Sequence, residues 1–123
     1  SFTKQDFVLN KIKKINIDKY FLLKVYKKNN KYLLVKNRNF NFLKNFNIFP
    51  MQELIRPKNF NQNLNFKMSN MNINIEIKND KITKPIPFSY WIDPKKLKNY
   101  TLPTFTKKIV TYLESHKWKK LQL

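Results

Sequence analysis

The stretch LNFKMSNMNINIEIK, residues 64–78, decides the fold because apolar and polar residues alternate along it. Two-residue alternation is typical of a β-strand with one buried face and one face in water. The phase of the alternation shifts across Ser69 and Asn70, which a strand absorbs only through a bulge or a tight turn. The stretch therefore predicts either one long bulged strand or a compact hairpin at the centre of a small domain.

The polar face of this stretch carries asparagine, lysine and serine, with Glu76 as its one acid. We expect this face to be wet and to look at something anionic. An AT-rich genome also encodes asparagine readily, so the alternation is better support for a fold than the asparagines are for a binding site.

The composition indicates one basic domain, residues 1–123, in which 41% hydrophobic residues suffice for a core. Gly, Ala and Cys are absent, whereas Lys, Asn, Ile and Phe are abundant. The abundant four have AT-rich codons, so the bias indicates a very AT-rich source, organellar or nuclear. Part of the Lys and Asn content is therefore expected to reflect mutational drift.

The charge balance points to a polyanionic partner. The chain has 26 basic and 7 acidic residues, a net charge of +19, and only Arg38 and Arg56 are arginine. Drift exchanges arginine for lysine but does not explain the shortage of acids. Because lysine lacks the planar fork that reads base edges, we predict many phosphate contacts and an affinity that falls steeply with salt.

Catalytic and metal-binding patterns are lacking, so the sequence predicts a chain that is not an enzyme and has no cofactor. The absence of Cys removes thiolate chemistry, His116 is the one histidine, and the seven acids include no short-range carboxylate pair. No apolar run approaches the roughly 20 residues of a membrane helix. Residues 1–11 do not resemble a targeting presequence.

The N-terminal third predicts a helix and then a hairpin. Residues 3–14 begin with TKQD, which resembles a capping box. Residues 20–26 and 32–35 are rich in aromatic and branched residues and predict two strands. Residues 29–30, Asn-Asn, are the expected turn, because asparagine best tolerates the left-handed conformation in a chain without glycine. A helix over residues 30–46 is the alternative.

Residues 36–47, KNRNFNFLKNFN, interleave aromatic and basic residues. Phe40, Phe42 and Phe46 could stack on unpaired bases, but we favour the interpretation that they fill the core in place of the missing small residues. Residues 49–57 lie between two residue–proline steps, which predict a loop or a single turn.

Residues 79–80, Asn-Asp, predict a turn after the central stretch. Residues 85–94, PIPFSYWIDP, contain three prolines and predict an extended segment that does not lie in the middle of a sheet. Its aromatic residues Phe88, Tyr90 and Trp91 form a cluster, for which a core lid or a protein contact is favoured over base stacking.

A C-terminal helix is the clearest predicted element. It follows Pro103, can be capped by Thr104 and ends near His116, and residues 118–123 could add a last edge strand. Its expected apolar face consists of Phe105, Ile109, Tyr112 and Leu113. Together the elements predict an α+β fold: a small antiparallel or mixed sheet with the C-terminal amphipathic helix packed on it and extended basic loops.

In type and composition the whole chain resembles ribosomal proteins encoded in AT-rich mitochondrial genomes. It is also similar to the family of the universal small-subunit protein number ten, in a first strand at residues 20–26, a Glu-Ile-Lys step at 76–78, a Pro-Thr helix opening at 103–104 and a closing strand at 121–123. The family's extended loop would correspond to residues 49–70. The resemblance implies a structural constituent of the mitochondrial ribosome, in the matrix, with rRNA and neighbouring ribosomal proteins as partners.

Two other functions are compatible with the sequence. One is a peripheral accessory subunit of a mitochondrial respiratory or ATP-synthase complex, whose lysines would face acidic partners or anionic lipid. The other is a free RNA- or DNA-binding protein. For the ribosomal function, clusters of basic residues are expected to matter more than single lysines, and aromatic stretches are expected to contact proteins. The candidate RNA-binding residues are Lys27, Lys28, Lys31, Lys36, Arg38, Arg56, Lys58, Lys67, Lys95, Lys96, Lys98, Lys107, Lys108, Lys117, Lys119 and Lys120.

Overall fold

The computed structural model describes residues 17–121, with the side chains of residues 17–115, so the predicted helix at residues 3–14 lies outside it. The fold is mixed α+β with mostly antiparallel strands and a C-terminal helix, which confirms the predicted class. The strands are β1 (Ile17–Lys28), β2 (Lys31–Lys36), β3 (Asn47–Ile48), β4 (Met51–Leu54), β5 (Leu64–Met68), β6 (Met71–Asp80) and β7 (Ser89–Ile92). A 3-10 helix (Pro94–Asn99) and the helix α1 (Thr104–Leu121) follow.

Contacts divide the described chain into two compact units. The first unit contains residues 17–22 and 52–77, and the second contains residues 23–51 and 78–121. Two of the three boundaries fall inside the long strands β1 and β6, and the third falls inside the short strand β4, so each of these strands contributes residues to both units.

Residues 64–78 contain a hairpin, and the alternative of one bulged strand is wrong. β5 and β6 pair antiparallel, with Phe66 opposite Ile73. Ser69 begins the two-residue turn with a φ of 54°, so the turn absorbs the shift in phase. Ile73 and Ile75 are completely buried, and both strands present their apolar residues to the same side.

The polar face of this hairpin is only partly wet, which corrects the expectation of an exposed surface for an anion. Asn74 is 5% exposed, and its Nδ2 donates to the carbonyl of Lys19 at 3.2 Å. Asn72 donates from Nδ2 to Asp18 Oδ1 at 2.7 Å, and Asn65 donates from Nδ2 to Asn72 Oδ1 at 2.7 Å. Buried amides require hydrogen-bond partners, and these asparagines bond to one another, to a backbone carbonyl and to a carboxylate. They join β5, β6 and the start of β1.

The second predicted hairpin, β1 with β2, is confirmed, and the alternative helix over residues 30–46 is wrong. Lys27 lies opposite Tyr32 in the antiparallel pair. Asn29 and Asn30 form the turn with φ values of 52° and 62°. Two consecutive left-handed residues give a turn whose twist matches that of the flanking strands, which is why asparagine serves here without glycine.

The proline-rich segment contributes β7, which pairs along β2 with Leu33 opposite Trp91. Among the described strands β7 has β2 as its one neighbour, in agreement with the expectation that this segment does not lie in the middle of a sheet. The strand begins directly after the prolines, where no ladder hydrogen bond is lost.

Helix α1 buries three of the four residues predicted for its apolar face, and the fourth, Tyr112, is half-buried. The buried residues of this face are Phe105, Thr106, Ile109, Val110 and Leu113. Thr106 was not expected on this face. Its buried hydroxyl donates a hydrogen bond of 2.7 Å to the carbonyl of Asn47 in β3. On the same helix Glu114 accepts a hydrogen bond of 2.5 Å from the hydroxyl of Tyr32 in β2.

The loop expected at residues 49–57 is corrected, because it contains strand β4, which pairs with β1. Pro50 has no N–H to donate, yet its carbonyl accepts a hydrogen bond from Lys24 N at 2.9 Å and leads the chain into β4. The loop that the ribosomal family implied at residues 49–70 is likewise interrupted, by β4 and by β5.

Two further boundaries differ from the prediction. β6 continues through Asp80, so the strand ends two residues later than expected. The Asp80 carboxylate then accepts a hydrogen bond from Lys81 N at 2.7 Å. α1 continues to Leu121 in place of an end near His116 and an edge strand. No glycine or proline follows His116 to terminate the helix.

Candidate nucleic-acid interface

The turn between β1 and β2 displays three of the predicted basic residues. Lys27, Lys28 and Lys31 are exposed, and Lys28 lies directly opposite Lys31 in the strand register. Like charges at opposed positions repel each other, so this lysine pair lowers the stability of the hairpin. Lys27 Nζ lies 5.6 Å from the centre of the Tyr32 ring, which orients its charge.

Phe88 is the most unusual residue of the described surface. Its side chain is 65% exposed and its backbone has a φ of 57°, in the left-handed region that a bulky residue rarely occupies. Its carbonyl accepts a hydrogen bond of 3.1 Å from Lys36 N, which fixes the backbone beside β2. The Arg38 guanidinium lies 4.4 Å from the centre of the Phe88 ring. An aromatic ring is thus held outward, under strain, against a cation.

A pocket of about 390 Å³ lies beside this ring and brings together two of the predicted basic residues, Lys36 and Arg38. Phe40 also lines it, so one of the three loop phenylalanines contributes to the candidate site. Phe42 instead packs edge-on against Phe105 at 6.2 Å, in agreement with a core role, whereas Phe46 is 47% exposed. The other lining residues are Val35, Asn37, Asn39, Ile48, Phe49, Pro50, Met51, Ile86, Pro87 and Phe88. We name this site the Phe88 pocket.

Asn37 organises the loop that carries Arg38, and sequence reasoning missed it. It is 2% exposed, and its Nδ2 donates to the carbonyls of Phe42 at 2.6 Å and Leu43 at 3.1 Å. Its Oδ1 accepts from Phe40 N at 3.0 Å. Three bonds from one buried amide give the loop a defined shape. A single asparagine among so many carries no signal in the sequence that would mark it.

The remaining predicted residues lie apart from the Phe88 pocket. The 3-10 helix, capped by Asp93 through a 3.0 Å bond from Lys95 N, exposes its lysines. The predicted lysines that are exposed in the second unit outside the pocket and the turn are Lys95, Lys96, Lys98, Lys107 and Lys108. Lys117, Lys119 and Lys120 lie on α1, but their side chains are outside the described part. Arg56, Lys58 and Lys67 are exposed in the first unit.

Acids compensate few of these charges. Among residues 17–115, one ion pair forms within 4 Å, between Lys19 and Glu53 at 3.5 Å, and both side chains are well exposed. The basic residues of the turn and of the Phe88 pocket therefore have no carboxylate within that distance in the described part. Their charge is available to an external anion.

Two tyrosines of the second unit have perturbed ionisation. Burial, together with the hydrogen bond to Glu114 and its negative charge, raises the pKa of Tyr32 well above its ordinary value. Burial and the neighbouring Tyr100 also raise the pKa of Tyr90, against a lowering hydrogen bond with Asn47. Burial thus keeps both phenols neutral, and neither pKa shift indicates a group that is prepared for proton transfer.

The described residues form neither a grouped set of metal ligands nor a helix that could cross a membrane. Within residues 17–121, no three His, Cys, Asp or Glu residues are grouped so that they could hold a metal ion. The helices of the same part are too short or too polar to cross a membrane.

No protein-family model matches the chain, and no curated protein matches it in sequence. In structure the chain is similar to the mouse domain in the crystal structure of the complex between the C-terminal domain of mouse MUTYH and human PCNA. The TM-score is 0.55 at 14% sequence identity, over 80% of this chain and 89% of that chain. The likeness concerns the fold, and it spans most of both chains.

Proposed function

We propose that the chain is a non-catalytic nucleic-acid-binding domain that works within a larger assembly. The observation that carries the proposal is Phe88, an exposed aromatic ring kept in a strained backbone conformation next to Arg38 and Lys36. A left-handed conformation costs about 1–2 kcal/mol for an ordinary residue, and such strain persists mainly at functional sites. An aromatic ring flanked by cations suits a base that stacks and a phosphate that is neutralised.

The basic turn supports the same proposal. Lys28 opposite Lys31 lowers the stability of the hairpin unless an anion lies between them. Phosphates of a nucleic-acid backbone would relieve that repulsion and release counterions. The Phe88 pocket would then supply contact with a base, and the turn would supply sequence-independent affinity.

The assembly in which the domain works is a narrower proposal. Composition and charge support rRNA and ribosomal proteins of a mitochondrial ribosome as partners, and the notion of a respiratory or ATP-synthase subunit remains its rival. Sedimentation of the native protein separates these possibilities. Migration with ribosomes supports the first, migration with inner-membrane complexes supports the rival, and migration alone supports a free binding protein.

A second candidate function is favoured by the structural likeness. The similar mouse domain is the C-terminal domain of MUTYH and is seen in complex with PCNA. We propose, as the alternative, that this chain is likewise a domain of a longer protein whose task is to bind a protein of the PCNA type. Co-elution with purified PCNA in gel filtration would support this alternative, and separate elution at micromolar concentrations would contradict it.

The nucleic-acid function is tested by substitution at Phe88. We expect Phe88→Leu to weaken binding of a single-stranded oligonucleotide about tenfold, because stacking contributes roughly 1–3 kcal/mol per base. Phe88→Tyr retains a ring and should bind as the unaltered chain does. Fluorescence anisotropy measures both, at about 50 mM and about 500 mM salt, where steep weakening at high salt is expected. Equal affinities of the two variants, or affinity independent of salt, would refute the proposal.

A further inference from the structure

A second cleft of the second unit lies on the side of β1 and β2 that the segment after β6 covers. Leu33 and Trp91, opposite each other in β2 and β7, line it together with Tyr26. Its volume is about 530 Å³, within the range of roughly 300–1,000 Å³ typical of small-ligand sites. It continues into a smaller hollow of about 320 Å³, which shares Tyr26 and Lys81 with it. We name the two together the Trp91 cleft.

The rim of the Trp91 cleft is strongly basic. Lys28 and Lys81 line the larger part, and Lys24 and Lys84 line the smaller part. Asp80 is the one acid among the lining residues, and its Oδ1 already accepts a hydrogen bond from Lys81 N at 2.7 Å. The lining lysines have no carboxylate within 4 Å in the described part of the chain. The described lining of the cleft therefore carries several lysines against the single carboxylate of Asp80.

The cleft also has an apolar wall among its lining residues. Pro85, Ile86 and Trp91 line it, and the hydroxyl of Ser89 donates to the carbonyl of Ile86 at 2.6 Å. This bond ties the wall to the start of β7. A flat apolar group could rest against such a wall while an attached anion reached the lysines. A small inorganic anion would leave the apolar wall in water, and an aliphatic ligand would leave the lysines unused.

We infer that the Trp91 cleft binds one nucleotide, with the base against Trp91 and Leu33 and the phosphate at Lys28 and Lys81. The inference rests on the proposed nucleic-acid function and extends it, because it names a site apart from the Phe88 pocket. The two chemical parts of a nucleotide, a π-face and a phosphate, match the apolar and the basic residues that line the cleft. Of the rim lysines, Lys24, Lys81 and Lys84 were not among the residues selected from the sequence.

Trp91 supplies the signal for the test. Replacement of Trp118 by Phe leaves Trp91 as the single tryptophan, since the chain contains two. Its fluorescence is followed during titration with inorganic phosphate, with uridine 5′-monophosphate and with pentauridylate. We expect a saturable change with the nucleotide, with the oligonucleotide or with both, and none with phosphate. The tighter of the two nucleotide probes identifies a free nucleotide or a strand as the natural source. A flat signal with both overturns the inference.

The double variant Lys28→Glu/Lys81→Glu should weaken the fluorescence-detected binding at least roughly tenfold, since two phosphate contacts become repulsive. Its matched control is Lys44→Glu/Lys78→Glu, which changes the net charge equally at two exposed positions that line neither part of the cleft and are not candidate RNA-binding residues. This control should weaken binding less than about threefold. Equal weakening in both double variants would show that binding depends on net charge and not on a site, and it would overturn the inference. Circular dichroism confirms that each variant is folded.

Failure of this inference can be told from failure of the proposed function. If Trp91 does not respond but oligonucleotide binding still depends on Phe88, the inference is wrong and the proposed function stands. If the fluorescence of Trp91 responds but oligonucleotide binding is the same in Phe88→Leu, the proposal for the Phe88 pocket is wrong and the inference for the Trp91 cleft stands.

Discussion

The strain at Phe88 can be measured by a pair of substitutions that remove the same ring. Alanine at a φ of 57° keeps the steric cost of a Cβ, whereas glycine adopts that conformation freely. We therefore expect the glycine variant to be more stable than the alanine variant by about 1 kcal/mol. At most positions the order is the reverse, which makes the sign of the difference informative.

The loss of the ring sets the scale for both variants. Phe88 is 65% exposed, so about a third of its surface is buried. Roughly a third of the ~200 Å² of a phenylalanine at ~25 cal/mol per Å² corresponds to about 1–2 kcal/mol. Phe88→Ala should lower the free energy of unfolding by that amount, and Phe88→Gly should lower it by about 0–1 kcal/mol after relief of the strain.

Urea unfolding, monitored by circular dichroism, gives the free energy of unfolding of each variant. Asn39 provides the control, because it is exposed and does not have a positive φ. There Asn39→Gly should be less stable than Asn39→Ala by about 0.5–1 kcal/mol. If alanine at position 88 is as stable as glycine or more so, the backbone of Phe88 is not left-handed in solution, and the argument from strain to function fails.

The interior hydrogen bonds and the basic turn give three further expectations. Asn37→Ala removes three bonds and should lower the free energy of unfolding in urea by about 2–3 kcal/mol, against under about 0.5 for Asn39→Ala. Burial raises the pKa of Tyr32, so the neutral phenol contributes fully to the free energy of unfolding below the unfolded-state pKa of about 10. That contribution is lost as the pH rises above this value, and Tyr32→Phe should flatten the alkaline part of a stability–pH curve. Lys31→Glu should stabilise the hairpin by a few tenths of a kcal/mol in thermal melts, by pairing with Lys28, while it weakens oligonucleotide binding in anisotropy titrations.

The two hairpins could be predicted because their signals are local. Alternation over residues 64–78 and the Asn-Asn step at residues 29–30 each fix a turn through side-chain period and backbone preference alone. The apolar face of α1 followed from the same kind of local pattern. Its length did not, because a helix without a stop signal ends where tertiary contacts allow.

The candidate site could be predicted only in part, because it depends on contacts distant in sequence. The basic residues of the turn were selected from their clustering, and Lys36 and Arg38 from their interleaving with aromatic residues. The structure exposes all of them. The exposure of Phe88 depends on the bond from Lys36 N, and the shape of its pocket depends on Asn37. Neither hydrogen bond can be predicted from the composition or from the spacing of residues in the sequence. The rim of the Trp91 cleft was missed for the same reason, since Lys24 and Lys81 are far apart in the chain.

Codon bias and function make different demands on this protein, and the structure offers a way to separate them. Drift toward AT-rich codons can add lysine and asparagine anywhere on a surface, so the net charge alone is weak support for a binding site. Drift does not explain why a phenylalanine is held at a positive φ beside a cation. If binding is functional, it should depend on position: charge reversal at the turn should weaken binding more than equal reversal at Lys95 and Lys96. If binding follows net charge alone, the two reversals should be equivalent, and the basic surface is a product of the genome.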